Sequence, residues 1–235
     1  MDLKETEILG ADIGRHWYYR SKASAMTSLL GSKEVYRILD VGAGSGFFSR
    51  HLLANTGARE AWCVDISYET DADASEAGKP VYYRRGIEQL DADLVLLMDV
   101  LEHVDDDRGL LCDYVGRVPA GSRFLITVPA FQWLWSGHDV FLEHKRRYTL
   151  RQLESVVRDA GLRVRQSHYH FGAVLPLAAA LRLGERLRGP QPVKSQLARH
   201  GVLSNAVLNG LCHAELPFSR LNRAGGLSVL CLAEK

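Results

Sequence analysis

Two groups of residues in this 235-residue chain have the types and spacing to do chemistry. In the first, Ile38-Leu39-Asp40-Val41 runs into Gly42-Ala43-Gly44-Ser45-Gly46 and then into FFSRHLLAN. Glycines let a backbone take positive φ and approach a ligand closely, and a helix starting at such a turn presents unpaired amides to a polar group. A second apolar run, AWCVDIS, reaches Asp65, 23 residues after Gly42. Doubly wound folds place a carboxylate there to accept hydrogen bonds from two ribose hydroxyls. Position 47, where a dinucleotide fingerprint wants its third glycine, is Phe47, which counts against a nicotinamide cofactor.

The second group is Trp133, Trp135, His138, Asp139, His144, Arg146, Arg147 and Tyr148, in a segment expected to follow a strand. His138 beside Asp139 is the most economical general base, and His144 is the next. Arg146 and Arg147 have the fork geometry to clamp a phosphate or carboxylate of a substrate; equally, one of them can pair with Asp139 or Glu143 and simply hold the loop. Glu102-His103 with Asp105, Asp106 and Asp107 has the composition of a metal cluster. Its residues are adjacent, however, and Asp106 and Asp107 suit an N-cap and a first helical turn, so no metal is expected.

These residues need elements to carry them. Short apolar runs alternate with helix-length segments, the pattern of a parallel sheet covered by helices. Strands are predicted at Val35–Val41, Ala61–Ile66, Val81–Arg84, Leu94–Met98, Arg123–Val128, Leu162–His168 and Ser228–Ala233. Helices are predicted at Trp17–Leu30, Phe47–Asn55, Asp106–Val115 and Leu150–Ala160, the last with Thr149 as N-cap and Gly161 as its stop. The segment SYETDADASEAGKP is short and acidic, leaving room only for a vestigial helix. Residues 171–225 read as a helical insertion or lid, FGAVLPLAAALRLGERLR and QLARHGVLSNAVLNGLCHAEL broken by GPQP.

Composition sets outer bounds: 46% hydrophobic, 24% charged and a net charge of +1 describe one globular domain over 1–235, with a cap helix in 1–32. The four cysteines, Cys63, Cys112, Cys212 and Cys231, show neither CxxC nor ligand spacing. MDLKETEILG has no secretory pattern, and no apolar stretch reaches the ~18 residues of a spanning helix, so a cytoplasmic protein is expected. Charge is uneven: residues 1–144 carry 14 basic and 23 acidic side chains, and residues 145–235 carry 15 and 5. The basic last third is either solvated helix surface or an anion-facing one. In the insertion, Phe171, Val174, Leu175, Leu177, Leu181 and Leu183 stand among Arg182, Arg186 and Arg188. Such a face fits an anionic membrane boundary or a polyprenyl-linked sugar, and equally fits packing on the sheet or a homodimer contact.

ILDVGAGSG followed by VDIS and DLVLLMDVLEHVDDD resembles the class I S-adenosylmethionine-dependent methyltransferases, and DVLEHV is similar to the matching stretch of the ubiquinone-biosynthesis O-methyltransferases. HWYYRSKASAMTSLL and VPAFQWLWSGHDVFLEHKRRYTLRQLESVVRDAGL are similar to a bacterial group found alongside glycosyltransferases that build polysaccharides or lipid-linked sugars. The resemblance covers about residues 15–170 and the final strand. It implies a Rossmann-like α/β fold: a doubly wound, mostly parallel seven-stranded sheet with an antiparallel last strand, and the helical insertion before it. The implied cofactor is S-adenosylmethionine, with its methionine moiety on Asp40, Gly42, Gly44 and Gly46 and its ribose on Asp65. Ile66 would then lie against the adenine, with backbone groups of Gly86 and Ile87 at its edge. Met98, Asp99 and Val100 would close the pocket, and Arg20 would close over it. Relatives often carry Gly-Asp after the third strand where this chain has Arg84-Arg85-Gly86-Ile87-Glu88.

The expected function is methylation, most simply on oxygen, of a small-molecule or lipid-linked acceptor. A nicotinamide-dependent oxidoreductase is disfavoured by Phe47. A nucleic-acid methyltransferase would draw on the basic last third, but MDVL stands where an Asn-Pro-Pro-Tyr-like motif would read a flipped base, so no nucleic acid partner is expected. A non-enzymatic module that only holds the cofactor is the remaining alternative.

Overall fold

The structure is a computed structural model that describes residues 8–31, 34–187, 193 and 201–235. Helix α1 (Trp17–Leu30) is followed by β1 (Arg37–Val41), α2 (Phe47–Asn55) and β2 (Glu60–Val64). Next come β3 (Ala72–Glu76), β4 (Lys79–Arg84), β5 (Leu94–Met98), α3 (Asp107–Arg117) and β6 (Arg123–Pro129). The chain continues through α4 (Gly137–Phe141), α5 (Leu150–Asp159), β7 (Arg163–His170), α6 (Leu175–Leu187), α7 (Val202–Ser219) and β8 (Ser228–Glu234). One sheet holds the strands in the order β3-β4-β2-β1-β5-β6-β8-β7. From β4 to β6 the neighbours run parallel, while β8 is antiparallel to both β6 and β7, as expected.

The sheet has eight strands where seven were expected. The additional one, β3, stands where a vestigial helix was anticipated. Ala77 and Gly78 both take positive φ (50° and 75°), the geometry of a two-residue hairpin turn that matches strand twist. The acidic strand this turn returns is tied down by cations: Arg50 Nε lies 2.8 Å from Glu76, and an Arg84 Nη2 lies 2.8 Å from Asp73. DADASE has weak β-propensity, so turn chemistry and these ion pairs, not periodicity, make it a strand.

Strands β1 and β5 are buried on both faces, as their continuous apolar runs require. On one face Leu29, Phe48, Leu52 and Leu53 of α1 and α2 pack against Ile38, Leu94 and Leu96; on the other, Leu111, Leu153 and Val157 of α3 and α5 pack against Leu39, Val95 and Ile126. Each such side chain contributes about 1.5–3 kcal/mol when fully buried. Helix α5 begins with Thr149 accepting from the Gln152 amide at 3.3 Å in a reciprocal capping box, the start read from the sequence.

The insertion docks on the N-terminal helix. Phe171 is fully buried, stacked on Tyr18 (5.2 Å between centroids) and edge-on to Trp17 (5.5 Å); Val174 and Cys212 complete this small core. Asn205 of α7 accepts from the Trp17 amide at 2.8 Å and donates to the Arg15 carbonyl at 2.9 Å, so it bridges the start of α1 to the insertion. Phe171 and Val174 are therefore interior, so this end of the apolar face packs within the protein. Leu177, Leu181 and Leu183 are exposed, so that part of the face does not pack on the sheet. Arg182 is largely covered and pairs with Glu185 at 3.1 Å. Arg188 and the GPQP break lie outside the described residues. Among the described residues no helix is long and apolar enough to cross a membrane.

His168 and His170 of β7 are buried, and burial holds their pKa values down at about 4 and about 3. Both are thus neutral in the fold, while an unfolded chain takes up protons below its ordinary histidine pKa of about 6.5. The unfolded state then binds more protons, so stability falls as pH drops from about 6.5 toward 4. Unfolding by urea at pH 7 and pH 5 is expected to show a loss on the order of 4 kcal/mol from this pair. The double variant His168→Leu/His170→Leu should lose much less between the two pH values; an unchanged difference would contradict the assignment.

Candidate active site

Successive crossovers leave β1 and β5 in opposite directions, so the topological switch point lies between them, above their carboxyl ends. Open α/β sheets bind ligands there. The Gly42–Gly46 loop follows β1, and Asp99 and Val100 follow β5, so both reach the crevice. Gly42 (φ 63°), Gly44 (φ 53°) and Gly46 (φ 72°) all take the left-handed conformation. A Cβ on Gly42 would stand 2.9 Å from a Val100 methyl, and one on Gly46 would meet the Tyr83 hydroxyl at 3.0 Å and Cys63 Sγ at 3.1 Å. Close packing of protein against protein thus demands these glycines as firmly as a ligand would.

The loop amides correct one expectation. They were expected to stand unpaired toward a polar group, but Gly42 and Ala43 donate to the Val64 carbonyl (2.7 and 3.2 Å), Gly44 donates to Asp65 Oδ2 (3.0 Å) and Gly46 to the Ala43 carbonyl (2.8 Å). These bonds hold the loop in shape and commit four of its five amides. Asp40 lies buried beneath it.

Asp65 comes directly after β2. Burial pushes its carboxyl up, but the amides of Ser67 (2.9 Å) and Gly44 pull harder, and its pKa lies below the usual carboxylate range. A carboxylate has about four acceptor sites, and these two amides use two of them. Ile66, next in the chain, is 86% exposed, an open apolar side chain beside a polar clamp. Gly86 is exposed after β4, and the Ile87 carbonyl accepts from Arg117. Met98 is buried at the end of β5. Together these groups suit a nucleoside bearing an amino acid.

Asp99 takes φ 58°, a conformation that costs a non-glycine residue roughly 1–3 kcal/mol. Its surroundings fix it there: Thr127 Oγ1 donates at 3.0 Å, Tyr18 Oη at 3.2 Å, and the fully buried Lys22 forms an ion pair with it. Burial alone would drive the Lys22 pKa down, yet Asp99 and Tyr18 raise it above the ordinary lysine range. Burial likewise pushes Asp99 up, but Lys22 outweighs it and the carboxyl stays ionised. Tyr18 and Lys22, one turn apart, are the donor and the charge that α1 brings to the strand ends. Arg20, expected to close over the site, stands exposed about 200° around the helix from Tyr18. A lysine in the stripe Tyr18, Lys22, Met26, Leu29 was the readable signal for a buried acid partner.

The loop after β6 is organised by Asp139. This fully buried carboxylate accepts from His144 Nδ1 (2.9 Å), from Arg147 Nε and Nη2 (2.7 and 3.1 Å) and from the Ser136 amide (2.9 Å). Burial would raise its pKa, and His144 and Arg147 hold it far below the normal range. Arg147 is thereby a loop strut. So is Arg146, which pairs with Asp107 and donates to the carbonyls of Val104 and Asp105. His138 is largely buried in α4, which holds its pKa down at about 4 despite the nearby Asp139. The ring of His144 meets His103 edge-on at 4.7 Å, and Glu102 beside them is buried, pushed well above the usual range first by burial and then by Asp99. A groove of 850 Å³ opens on the outer side of this loop, lined by Phe131, Trp133, Arg147 and Gln152 among others.

The family model described as "Methyltransferase domain" matches residues 15–167, well over half of the chain. The chain belongs to this family. It is an S-adenosylmethionine-dependent methyltransferase, and S-adenosylmethionine is its cofactor. Solved structures agree in fold. A methyltransferase from Haloferax volcanii, solved with the Trm112 methyltransferase activator, superposes with a TM-score of 0.56 at 18% identity, over 95% of this chain and 91% of that one. A SAM-dependent methyltransferase from Archaeoglobus fulgidus gives 0.53 at 17% identity, over 99% and 98%. The phosphoethanolamine N-methyltransferase 2 of Haemonchus contortus, solved with S-adenosyl-L-methionine, gives 0.58 at 17%, over 98% of this chain and 55% of that one. No curated protein sequence matches the chain.

Proposed function

We propose that this methyltransferase methylates a hydroxyl oxygen of a small or lipid-linked acceptor, with His144 as the proton acceptor. The bound cofactor supplies an electrophilic methyl group on a sulfonium. Asp65 would hold its ribose, Ile66, Gly86 and Ile87 its adenine, and Asp40, Gly42, Gly44 and Gly46 would shape the seat of its methionine end. Met98, Asp99 and Val100 would wall the pocket, while Arg20, on the far side of α1 from Tyr18, stays out of it. The chain's own work is then to align an acceptor, exclude water and take a proton.

The observation that carries the reading is the Asp139–His144 pair. With Nδ1–H given to a buried carboxylate, His144 is fixed in the tautomer whose Nε2 accepts a proton, and the carboxylate stabilises the cation that forms. His138 remains the second candidate, but its pKa of about 4 makes it the weaker base. Incubation with cofactor labelled in the methyl group, followed by extraction of lipid and small-molecule fractions, is expected to place label on an acceptor oxygen. Label on nitrogen, on carbon or in nucleic acid would overturn the reading.

Lipid linkage draws on the exposed residues Leu177, Leu181, Leu183 and Leu187 of α6 and Val202, Leu203 and Val207 of α7. Sedimentation with vesicles is expected to show binding to anionic membranes that falls as salt rises. Absence of binding to anionic and neutral vesicles alike, with a dimer in solution, would make this patch a contact between two copies and remove the membrane from the account.

A further inference from the structure

Tyr68 stands just beyond the Asp65 clamp, in the segment where a vestigial helix was expected and β3 is found. A tight turn carries it back over the glycine loop. The Ser67 amide donates to Asp65 Oδ1 at 2.9 Å, and the Tyr68 amide donates to the Asp65 carbonyl at 3.3 Å. The Tyr68 hydroxyl then donates to the Gly44 carbonyl at 2.7 Å, and its ring lies edge-on to Tyr83 at 5.5 Å. We propose that Tyr68 determines cofactor specificity: its hydroxyl oxygen completes the seat of the ammonium on the cofactor's amino-acid end. This role rests on the placement of S-adenosylmethionine along the loop.

Gly44 joins the two parts of the site. Its amide goes to Asp65 Oδ2 at 3.0 Å, on the carboxylate assigned to the ribose, and its carbonyl goes to Tyr68. The hydroxyl therefore borders both the ribose clamp and the loop that shapes the methionine end. A tyrosine hydroxyl has one proton, and here Gly44 takes it, so toward a ligand this oxygen can only accept. An ammonium has protons to give; a carboxylate has none. The amides of Gly42, Ala43, Gly44 and Gly46 are likewise committed, which further disfavours a carboxylate at this point.

Electrostatics point the same way. Burial pushes the Tyr68 hydroxyl well above the ordinary tyrosine range, and Cys63, Asp40 and Asp65 push it further. It keeps its proton, and the two carboxylates that act on it make its surroundings attractive to a cation. Tyr83 donates to the Ser45 carbonyl at 3.2 Å and supports the ring of Tyr68 from the side. A phenylalanine at position 68 keeps that ring contact, so Tyr68→Phe removes the hydroxyl alone.

Calorimetry of the full chain with three probes tests the role. S-adenosylhomocysteine carries both the ammonium and the carboxylate, decarboxylated S-adenosylmethionine keeps only the ammonium, and methylthioadenosine lacks both. Tyr68→Phe is expected to weaken the first two by roughly 10–100-fold, the range for one hydrogen bond to a charged group. Methylthioadenosine should bind the variant as it binds wild type, which also shows that the variant is folded. Equal weakening of all three probes would make Tyr68 a brace for the loop, and unchanged binding of S-adenosylhomocysteine would remove it from the site; either result overturns the proposal. So would weakening of S-adenosylhomocysteine alone, which would put the hydroxyl on the carboxylate. Asp65→Ala separates this role from the cofactor placement, because all three probes carry the ribose and all should bind that variant more weakly. Selective loss in Tyr68→Phe with no loss in Asp65→Ala would uphold Tyr68 and take the ribose off Asp65. Wild type that binds none of the probes would overturn the cofactor placement and the role of Tyr68 together.

Discussion

His144→Ala is expected to lower methyl transfer by about 10²–10⁴-fold while leaving cofactor affinity nearly intact. The ring meets His103 and Asp139 and none of the groups assigned to the nucleoside. Its loss removes the group proposed to accept the acceptor's proton, and it also leaves Asp139 short of one donor. Arg147 and Ser136 still satisfy that carboxylate, so the loop should keep its shape. Single-turnover rates with saturating cofactor measure the effect. Full activity in His144→Ala together with loss in His138→Ala would transfer the role to His138; full activity in both would leave catalysis to positioning alone.

Asp65→Ala is expected to weaken cofactor binding by about 1–3 kcal/mol, the range for losing hydrogen bonds to a charged group and roughly 5–150-fold in Kd. Asp65 has one proposed task, accepting from the ribose hydroxyls, and one that the structure shows, holding the Gly44 amide. Removing it therefore also frees the loop, so the observed loss should lie toward the upper end. Asp65→Asn separates the two contributions, because its amide oxygen can still accept from Gly44 without the negative charge. Calorimetry with S-adenosylhomocysteine reads both variants, and an unchanged affinity in Asp65→Ala would remove that residue from the site.

The helices at Trp17–Leu30 and Phe47–Asn55 and the buried strands were legible because local signals and tertiary packing agree there: apolar runs, a glycine turn and a capping box all point one way. β3 was not, because a two-residue turn and two arginine pairs outweigh a sequence poor in β-formers. At the site, single residues could be read from their place at strand ends, and Asp65 and the glycines stand where that reasoning put them. Their partners could not. Which histidine takes Asp139, which acid takes Lys22 and what the loop amides bond to depend on groups as far as 77 positions apart or, for Asp139 and His144, on a separation of five, and no spacing rule decides between them.

The central claim is that S-adenosylmethionine binds at the switch point between β1 and β5. A crystal structure with S-adenosylhomocysteine tests it most directly. The account predicts the ribose hydroxyls on Asp65, the adenine against Ile66, and the sulfur turned toward Asp99 and His144. A ligand bound elsewhere, for instance in the groove beside Trp133 with Asp65 left untouched, would contradict it.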